Sequence, residues 1–300
     1  MLNRFLNYIE IKTKITSTFT FALTIAYLLY QKQKINWKLT LLFFAAMFLF
    51  DLTTTAINNY IDSKTNEQIL GFNRKTAFII IYCLFGISTL LGLSLAYFTD
   101  IVVLLAGALC FICGVLYTYG PVPISRQPLG EVFSGFFYGL MIPFILMYIN
   151  MPKGTFLTYH LSLESISLEL KPIPLLTLII FSVIPFSVTA NIMLANNICD
   201  LEKDITVKRY TLPYYIGKSS LLLFTALNYT PYIAMIIMVI MKALSPVCLL
   251  SLLSIIIVQK NINSFLERQE KAVTFIYSIK NFMIIMGSIT VFIFISVLLP

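Results

Sequence analysis

The sequence predicts an all-α membrane protein in which nine transmembrane helices surround a central cavity. Three observations predict it. Of the 300 residues, 59% are hydrophobic and 11% are charged, with a mean hydropathy of +0.89, whereas soluble domains are about half apolar and about a quarter charged. Apolar runs long enough to span a bilayer recur along the chain. Two polar motifs of one form, Asn58-Asn59-Tyr60-Ile61-Asp62-Ser63-Lys64-Thr65-Asn66 and Asn196-Asn197-Ile198-Cys199-Asp200-Leu201-Glu202-Lys203-Asp204, each close such a run.

The runs fall at 15–30, 39–60, 76–98, 101–119, 129–149, 172–198, 220–241, 244–258 and 277–299. The polar stretch before the first run is followed by no small-residue cleavage site, so that run is expected to be a retained span. Between the fourth and fifth runs, Pro121, Pro123 and Pro128 predict a stiff, extended segment over residues 117–131. The segment 150–171 holds the only histidine, His160, which reads as solvated. Its part 161–170 partly alternates apolar and polar residues and fits either an interfacial helix or a short strand. Pro185 and Asn191 lie inside the sixth run and are expected to kink it and to offer a polar group to the cavity. The five cysteines lie in or at the ends of apolar runs, so Cys110-x-x-Cys113 reads as packing and not as a metal or redox pair.

Charge placement sets the expected orientation. With the amino terminus inside, fifteen of the 21 Lys and Arg residues face the cytoplasm, against six outside. The net charge of +8 is thus read as inside bias and not as a nucleic-acid surface. Both motifs then lie on the cytoplasmic side. Four spans separate them, which suggests an internal parallel repeat within a single domain, residues 1–300, whose two half-sites face each other across the bundle.

On a helix, Asn58, Asp62 and Asn66 share one face, as do Asn196, Asp200 and Asp204. Intramembrane ionisable groups are costly and are functional candidates by default. Carboxylates and amides with no His or Cys cluster suit Mg²⁺, which shares its shell with waters and phosphates. Nearby Lys64, Arg74, Lys75, Lys203, Lys208 and Arg209 could hold phosphate oxygens. Acid, amide and base together read as a magnesium-diphosphate site, and the membrane context gives the diphosphate a lipid tail. Tyr60, Tyr117 and Tyr119 are the aromatic residues nearest the motifs and could face a carbocation. Asp51 either deepens the cavity or makes a structural hydrogen bond; Glu131 either caps its helix or reaches the cavity. A transporter of an anionic lipid is the rival reading, although it has no need of paired carboxylates.

The two motifs resemble the signatures of the UbiA superfamily of intramembrane prenyltransferases, Asn-Asp-x-x-Asp-x-x-x-Asp and Asp-x-x-x-Asp, after spans two and six of nine. The second signature is intact as Asp200 to Asp204; in the first, Asn59 and Asn66 stand where many members carry Asp. The stretch Tyr117-Thr118-x-Gly120-Pro121-x-Pro123-Ile124-x-x-x-Pro128-Leu129-Gly130-Glu131 is similar to the branch that prenylates 1,4-dihydroxy-2-naphthoate. This resemblance implies Mg²⁺-dependent transfer of a polyprenyl group from polyprenyl diphosphate to that acceptor, with loss of carbon dioxide, in a bacterial plasma membrane. It implies that Asn58, Asp62 and Asn66 hold one metal-diphosphate contact and Asp200 and Asp204 the other. Lys64, Lys208, Arg209 and Arg74 would grip phosphate, and Tyr117 with Tyr60 would line the cation pocket. Asn59, Asn196, Asn197 and Glu131 are further candidates. A sister enzyme acting on 4-hydroxybenzoate or haem is the further alternative, although Asn73-Arg74-Lys75 stands where the 4-hydroxybenzoate branch typically has Thr-Arg-Pro.

Overall fold

The computed structural model describes residues 2–65, 70–120, 123–162 and 164–299. Helix α1 (Leu2–Tyr8) and a 3₁₀ turn (Ile11–Lys14) lead into α2 (Ile15–Tyr30). Helices α3 (Trp37–Thr65) and α4 (Arg74–Phe98) pack side by side. Asp100 caps α5 (Ile101–Leu116), its carboxylate accepting the amides of Val102 and Val103 at 3.0 and 3.4 Å. Helix α6 (Gly130–Gly135), a π-helical turn (Phe136–Met141) and α7 (Ile142–Asn150) form one continuous helical element. A hairpin of β1 (Leu157–Leu161) and β2 (Ile166–Leu170) precedes α8 (Pro172–Cys199). Short helices α9 (Leu201–Thr206) and α10 (Leu212–Ile216) lead to α11 (Ser219–Ile240). A 3₁₀ stretch (Pro246–Ser254) continues into α12 (Ile255–Glu267), and α13 (Ile276–Leu298) ends the chain.

Among the described residues, seven helical elements are long and apolar enough to cross a membrane. The first and fourth expected spans are α2 and α5, with 16 residues each. At 1.5 Å per residue that is about 24 Å, against a hydrocarbon core of roughly 30 Å. The eighth expected run extends to Glu267, because Lys260 points to the exposed side and does not interrupt the helix. Among the described residues the one sheet in the otherwise helical chain is the hairpin, which decides between the two forms expected for residues 161–170.

The main core lies where α2, α8, α11, α12 and α13 meet, around the fully buried Phe181, Phe224, Tyr232, Phe265 and Phe282. A smaller cluster joins α1, α3 and α4 through Tyr8, Ile9, Leu52, Ala56, Ala77 and Leu84. Amide side chains stitch the main core across helices. Asn261 donates to Asn281 at 2.8 Å, Asn281 to Asn228 at 3.1 Å, and Asn228 and Asn191 both donate to the Phe224 carbonyl. Such bonds hold helices together where apolar surface offers no preference for protein over lipid. Asn191 therefore serves α8–α11 packing. The α8 backbone at Phe186 crosses the π-helical turn so closely that a Cβ on Gly139 would lie 2.3 Å from Phe186 Cα and N.

Candidate functional site

The first motif ends α3, and helical geometry divides it. Successive residues turn by about 100°, so neighbours cannot share a face. Asn58 and Asp62 point one way. The Asn58 Oδ1 accepts from Thr118 Oγ1 at 3.2 Å. Asp62 lines a cavity of about 540 Å³ with Thr118, Tyr119, Gly120, Ser125 and Arg126. Asn59 points elsewhere: its Nδ2 donates to the Tyr8 carbonyl at 2.8 Å and to Glu10 Oε1 at 3.2 Å. Tyr60 faces α4, beside Phe78 and beneath the Arg74 guanidinium, which stands 5.6 Å from its ring. Arg74 also donates to the Ser63 carbonyl at 3.4 Å. Asn66 lies outside the described residues, as does the side chain of Lys64.

The second motif straddles a break. Helix α8 stops at Cys199 and α9 starts at Leu201, with Asp200 at the junction. The expected single helix is thus two, yet the spacing survives. The Asp200 amide still donates to the Asn196 carbonyl at 3.0 Å, and the Asp204 amide to the Asp200 carbonyl at 2.8 Å. Asn196 Oδ1 and Asp200 Oδ2 both receive Lys271 Nζ, the latter at 2.6 Å. Lys208 takes the left-handed conformation, φ 56°, and turns the chain back. The Arg209 amide then donates to the Asp204 carbonyl at 2.8 Å, while its guanidinium lies 3.8 Å from Asp204 Oδ1 and donates through Nε to the Ser125 carbonyl at 2.9 Å. Lys208 itself is exposed.

The charges connect the motifs. Among the described residues, Arg209, Arg126 and Lys203 lie within electrostatic reach of the Asp62 carboxylate, with Glu10 opposing them. Arg209 and Lys203 act on Asp204 as well. Burial, with Asp200 adding to it, pushes the Asp204 carboxyl above the ordinary carboxylate range, against the pull of Arg209, Lys271 and Lys203. The loop expected to be extended instead folds back. The Ser125 amide donates to the Tyr117 carbonyl at 2.8 Å, a 3₁₀ turn spans Ile124–Arg126, and the Tyr210 amide meets the Arg126 carbonyl at 3.3 Å. Pro121 and Val122 lie outside the described residues.

Tyr117 points into the bundle, its hydroxyl 3.7 Å from Met193 Sδ and within electrostatic reach of Arg209 and Glu131. Glu131 does more than start α6: its Oε1 accepts from Asn197 Nδ2 at 2.8 Å. Glu131 Oε2, Asn197 Oδ1 and Asp204 Oδ2 are buried with no hydrogen-bond partner among the described residues. Asp51 sits further along α3 in a closed network. It pairs with Lys14 at 2.7 Å and accepts from Ser17 at 2.7 Å and Tyr138 at 2.6 Å. That settles it as a structural hydrogen-bonding residue.

Lys271, Ser125 and Arg126 receive no site role from sequence: Lys271 lies 71 residues from its partner Asp200, and Ser125 and Arg126 line the cavity from the proline-rich loop. Thr118 belongs to the loop stretch that carries the resemblance, but its contact with Asn58 is not legible there.

Among the described residues no group of three or more His, Cys, Asp or Glu side chains is placed to hold a metal. The oxygens present nevertheless fit Mg²⁺. Asn58, Asp62, Asp200 and Asp204 offer amide and carboxylate oxygens, one carboxylate oxygen of Asp204 is buried and unpartnered, and Mg²⁺ takes one or two carboxylates with substrate phosphates.

The sequence matches the UbiA prenyltransferase family over residues 18–285. It is 30% identical over 226 residues to the 1,4-dihydroxy-2-naphthoate octaprenyltransferase of Bacillus subtilis (strain 168), covering 70% of this chain and 66% of that protein, a little under two thirds of its length. A structure concerning digeranylgeranylglyceryl phosphate synthase superposes with a TM-score of 0.68 at 18% identity, covering 99% of this chain and 98% of the other. A UbiA homolog from Archaeoglobus fulgidus bound to DMAPP and Mg²⁺ does so with a TM-score of 0.63 at 13% identity, covering 99% and 100%. The chain belongs to the UbiA prenyltransferase family.

Proposed function

We propose that this protein transfers a polyprenyl group from polyprenyl diphosphate to 1,4-dihydroxy-2-naphthoate, with loss of carbon dioxide and diphosphate, giving demethylmenaquinone. One observation carries the site: Arg209, 3.8 Å from Asp204 of the second motif, donates to the carbonyl of Ser125, which lines the same cavity as Asp62 of the first, so the two acidic helix ends address one anionic ligand. The acceptor rests on the name of the Bacillus subtilis relative, and the donor on the prenyl diphosphates bound by Archaeoglobus fulgidus homologs.

In this reading Asn58, Asp62 and Asn66 on one side and Asp200 and Asp204 on the other would hold Mg²⁺ together with the diphosphate. Bound Mg²⁺ supplies Lewis-acid stabilisation of the leaving diphosphate. Arg209, Lys208, Arg126 and Lys271 would neutralise the remaining phosphate charge, with Lys64 at the end of α3 and Arg74 at the start of α4 adding to it. Lys271, which stands 2.6 Å from Asp200 Oδ2, is placed where its ammonium could also meet phosphate oxygens. The allylic C–O bond breaks with its electron pair going to diphosphate. The naphthoate carbon bearing the carboxylate attacks, and departure of carbon dioxide restores the aromatic ring. Tyr117 presents its ring to the cation, and the apolar walls exclude water. Glu131 and Asn197 join α6 to α8 through their hydrogen bond, Asn196 shares Lys271 with Asp200, and Asn59 and Tyr60 hold α3 against α1 and α4. The protein sits in the plasma membrane with its amino terminus and active site toward the cytoplasm.

The test is an acceptor panel. Purified protein with Mg²⁺ and polyprenyl diphosphate is offered dihydroxynaphthoate, 4-hydroxybenzoate and haem. Prenylated naphthoquinol with stoichiometric diphosphate is expected. Lipid exchange without diphosphate release would make it a transporter, and turnover of another acceptor would move it to a sister activity.

A further inference from the structure

The hairpin between α7 and α8 carries a surface that prenyl transfer does not use. Its register pairs Leu157 with Leu170, Thr158 with Glu169, Tyr159 with Leu168, His160 with Ser167 and Leu161 with Ile166. Side chains alternate across a strand, so one face is wholly apolar: Leu157, Tyr159, Leu161, Ile166, Leu168 and Leu170. The other carries Thr158, His160, Ser167 and Glu169. The apolar face is uncovered, with Ile166 80%, Leu168 63% and Leu161 and Leu170 each 55% exposed. A lone two-stranded hairpin is marginal in water, and an apolar face of this kind marks an interaction surface.

Its place in the chain says what covers it. The hairpin is fixed at its base, where Phe156 is 3% exposed and its carbonyl accepts from the Lys171 amide at 2.8 Å. That base joins the end of one membrane-crossing helical element to the start of another, which puts it at a bilayer boundary. Beyond Leu170 the apolar exposure continues along α8 through Ile173, Leu176 and Ile179, the side of that helix open to lipid. We propose that the hairpin lies flat in the interfacial layer of the bilayer. Its six apolar side chains rest on the acyl chains, and Thr158, His160, Ser167 and Glu169 stay in the water of the headgroup region. Lys153 and Lys171 flank it at headgroup depth. The edges of both strands meet headgroups and water there, which satisfies backbone groups that the hydrocarbon core would leave unpaired.

The chain contains one tryptophan, Trp37, so a reporter is easily introduced. In a Trp37→Phe background, Leu168→Trp and Ser167→Trp are placed on opposite faces of one strand, and the full chain is reconstituted into phosphatidylcholine vesicles with or without brominated acyl chains. Leu161→Trp and His160→Trp form a second pair in case a variant fails to fold, which circular dichroism reveals. The Leu168→Trp and Leu161→Trp variants are expected to show blue-shifted fluorescence, quenched several-fold more by brominated chains than that of Ser167→Trp and His160→Trp. The polar-face reporters should be quenched by aqueous iodide. Equal iodide quenching on both faces would overturn the proposal by placing the hairpin in water. An apolar-face reporter shielded from both quenchers would overturn it by assigning the surface to a protein, either a second copy or a partner.

Discussion

Replacing Lys14 with methionine removes the cation from a buried network that ties α2, α3 and the π-helical turn together. Lys14 is 3% and Asp51 6% exposed, and their charges stand 2.7 Å apart. At an effective dielectric of about 20, two unit charges at that distance attract by roughly 6 kcal/mol. The cost of dehydrating both ions offsets much of this, so the pair contributes little net stability; breaking it is another matter. A buried ion left without its partner costs about 3–5 kcal/mol. Asp51 keeps Ser17 and Tyr138 as donors, which places Lys14→Met near the lower figure. At roughly 2 °C per kcal/mol for a chain this size, the thermal midpoint should fall by about 6 °C. The assay is unfolding of detergent-solubilised protein followed by circular dichroism, for Lys14→Met, Asp51→Asn and the double variant. The double variant should be no less stable than Lys14→Met, because asparagine needs no counter-ion: its Oδ1 still accepts from Tyr138, while its Nδ2 donates to Ser17 Oγ, whose proton goes to the Lys14 carbonyl. Losses that simply add, or a Lys14→Met midpoint equal to wild type, would refute the reasoning.

Three further outcomes are expected. Asp62→Ala and Asp200→Ala should each abolish prenyl transfer while leaving membrane insertion intact; retained turnover in either would remove that residue from the metal site. Gly139→Ala forces a Cβ into the Phe186 backbone and should cost about 1–3 kcal/mol of stability. Gly107→Ala, which meets nothing within 4 Å, should not, and equal midpoints for the two would show that the crossing yields. Because burial raises the Asp204 carboxyl, protons compete with Mg²⁺ there to higher pH than at an ordinary aspartate. The Mg²⁺ concentration needed for half-maximal activity should therefore rise as pH falls, a trend that Asp204→Asn should flatten.

Much of the fold was legible because its signals are local. A run of apolar residues bounded by charge marks a helix whatever surrounds it, and α3, α8 and α13 begin and end close to where their runs do. The motifs were legible for the same reason, since the i, i+4 spacing of Asn58 and Asp62 fixes their common face. Proline content, by contrast, excluded a long helix from the loop after α5 but could not say that the loop folds back; the Arg209–Ser125 bond that anchors the fold-back spans 84 residues. Lys271 was visible only as one more inward-facing cation, because its contact with Asp200 spans 71 residues. The surroundings of Asn59 and Tyr60 were equally hidden: helical spacing fixes their angle relative to Asp62 but not which neighbour occupies that side. The hairpin alternation is interrupted at Glu164-Ser165, so residues 161–170 fitted two structures until register paired them.

The central claim is that two helix ends grip one diphosphate, and calorimetric titration of an unreactive prenyl thiolodiphosphate tests it most directly. Binding should require Mg²⁺, and Asp62→Asn or Asp200→Asn should each weaken it at least tenfold, about 1.4 kcal/mol. Metal-independent binding of undiminished strength in both variants would contradict the account.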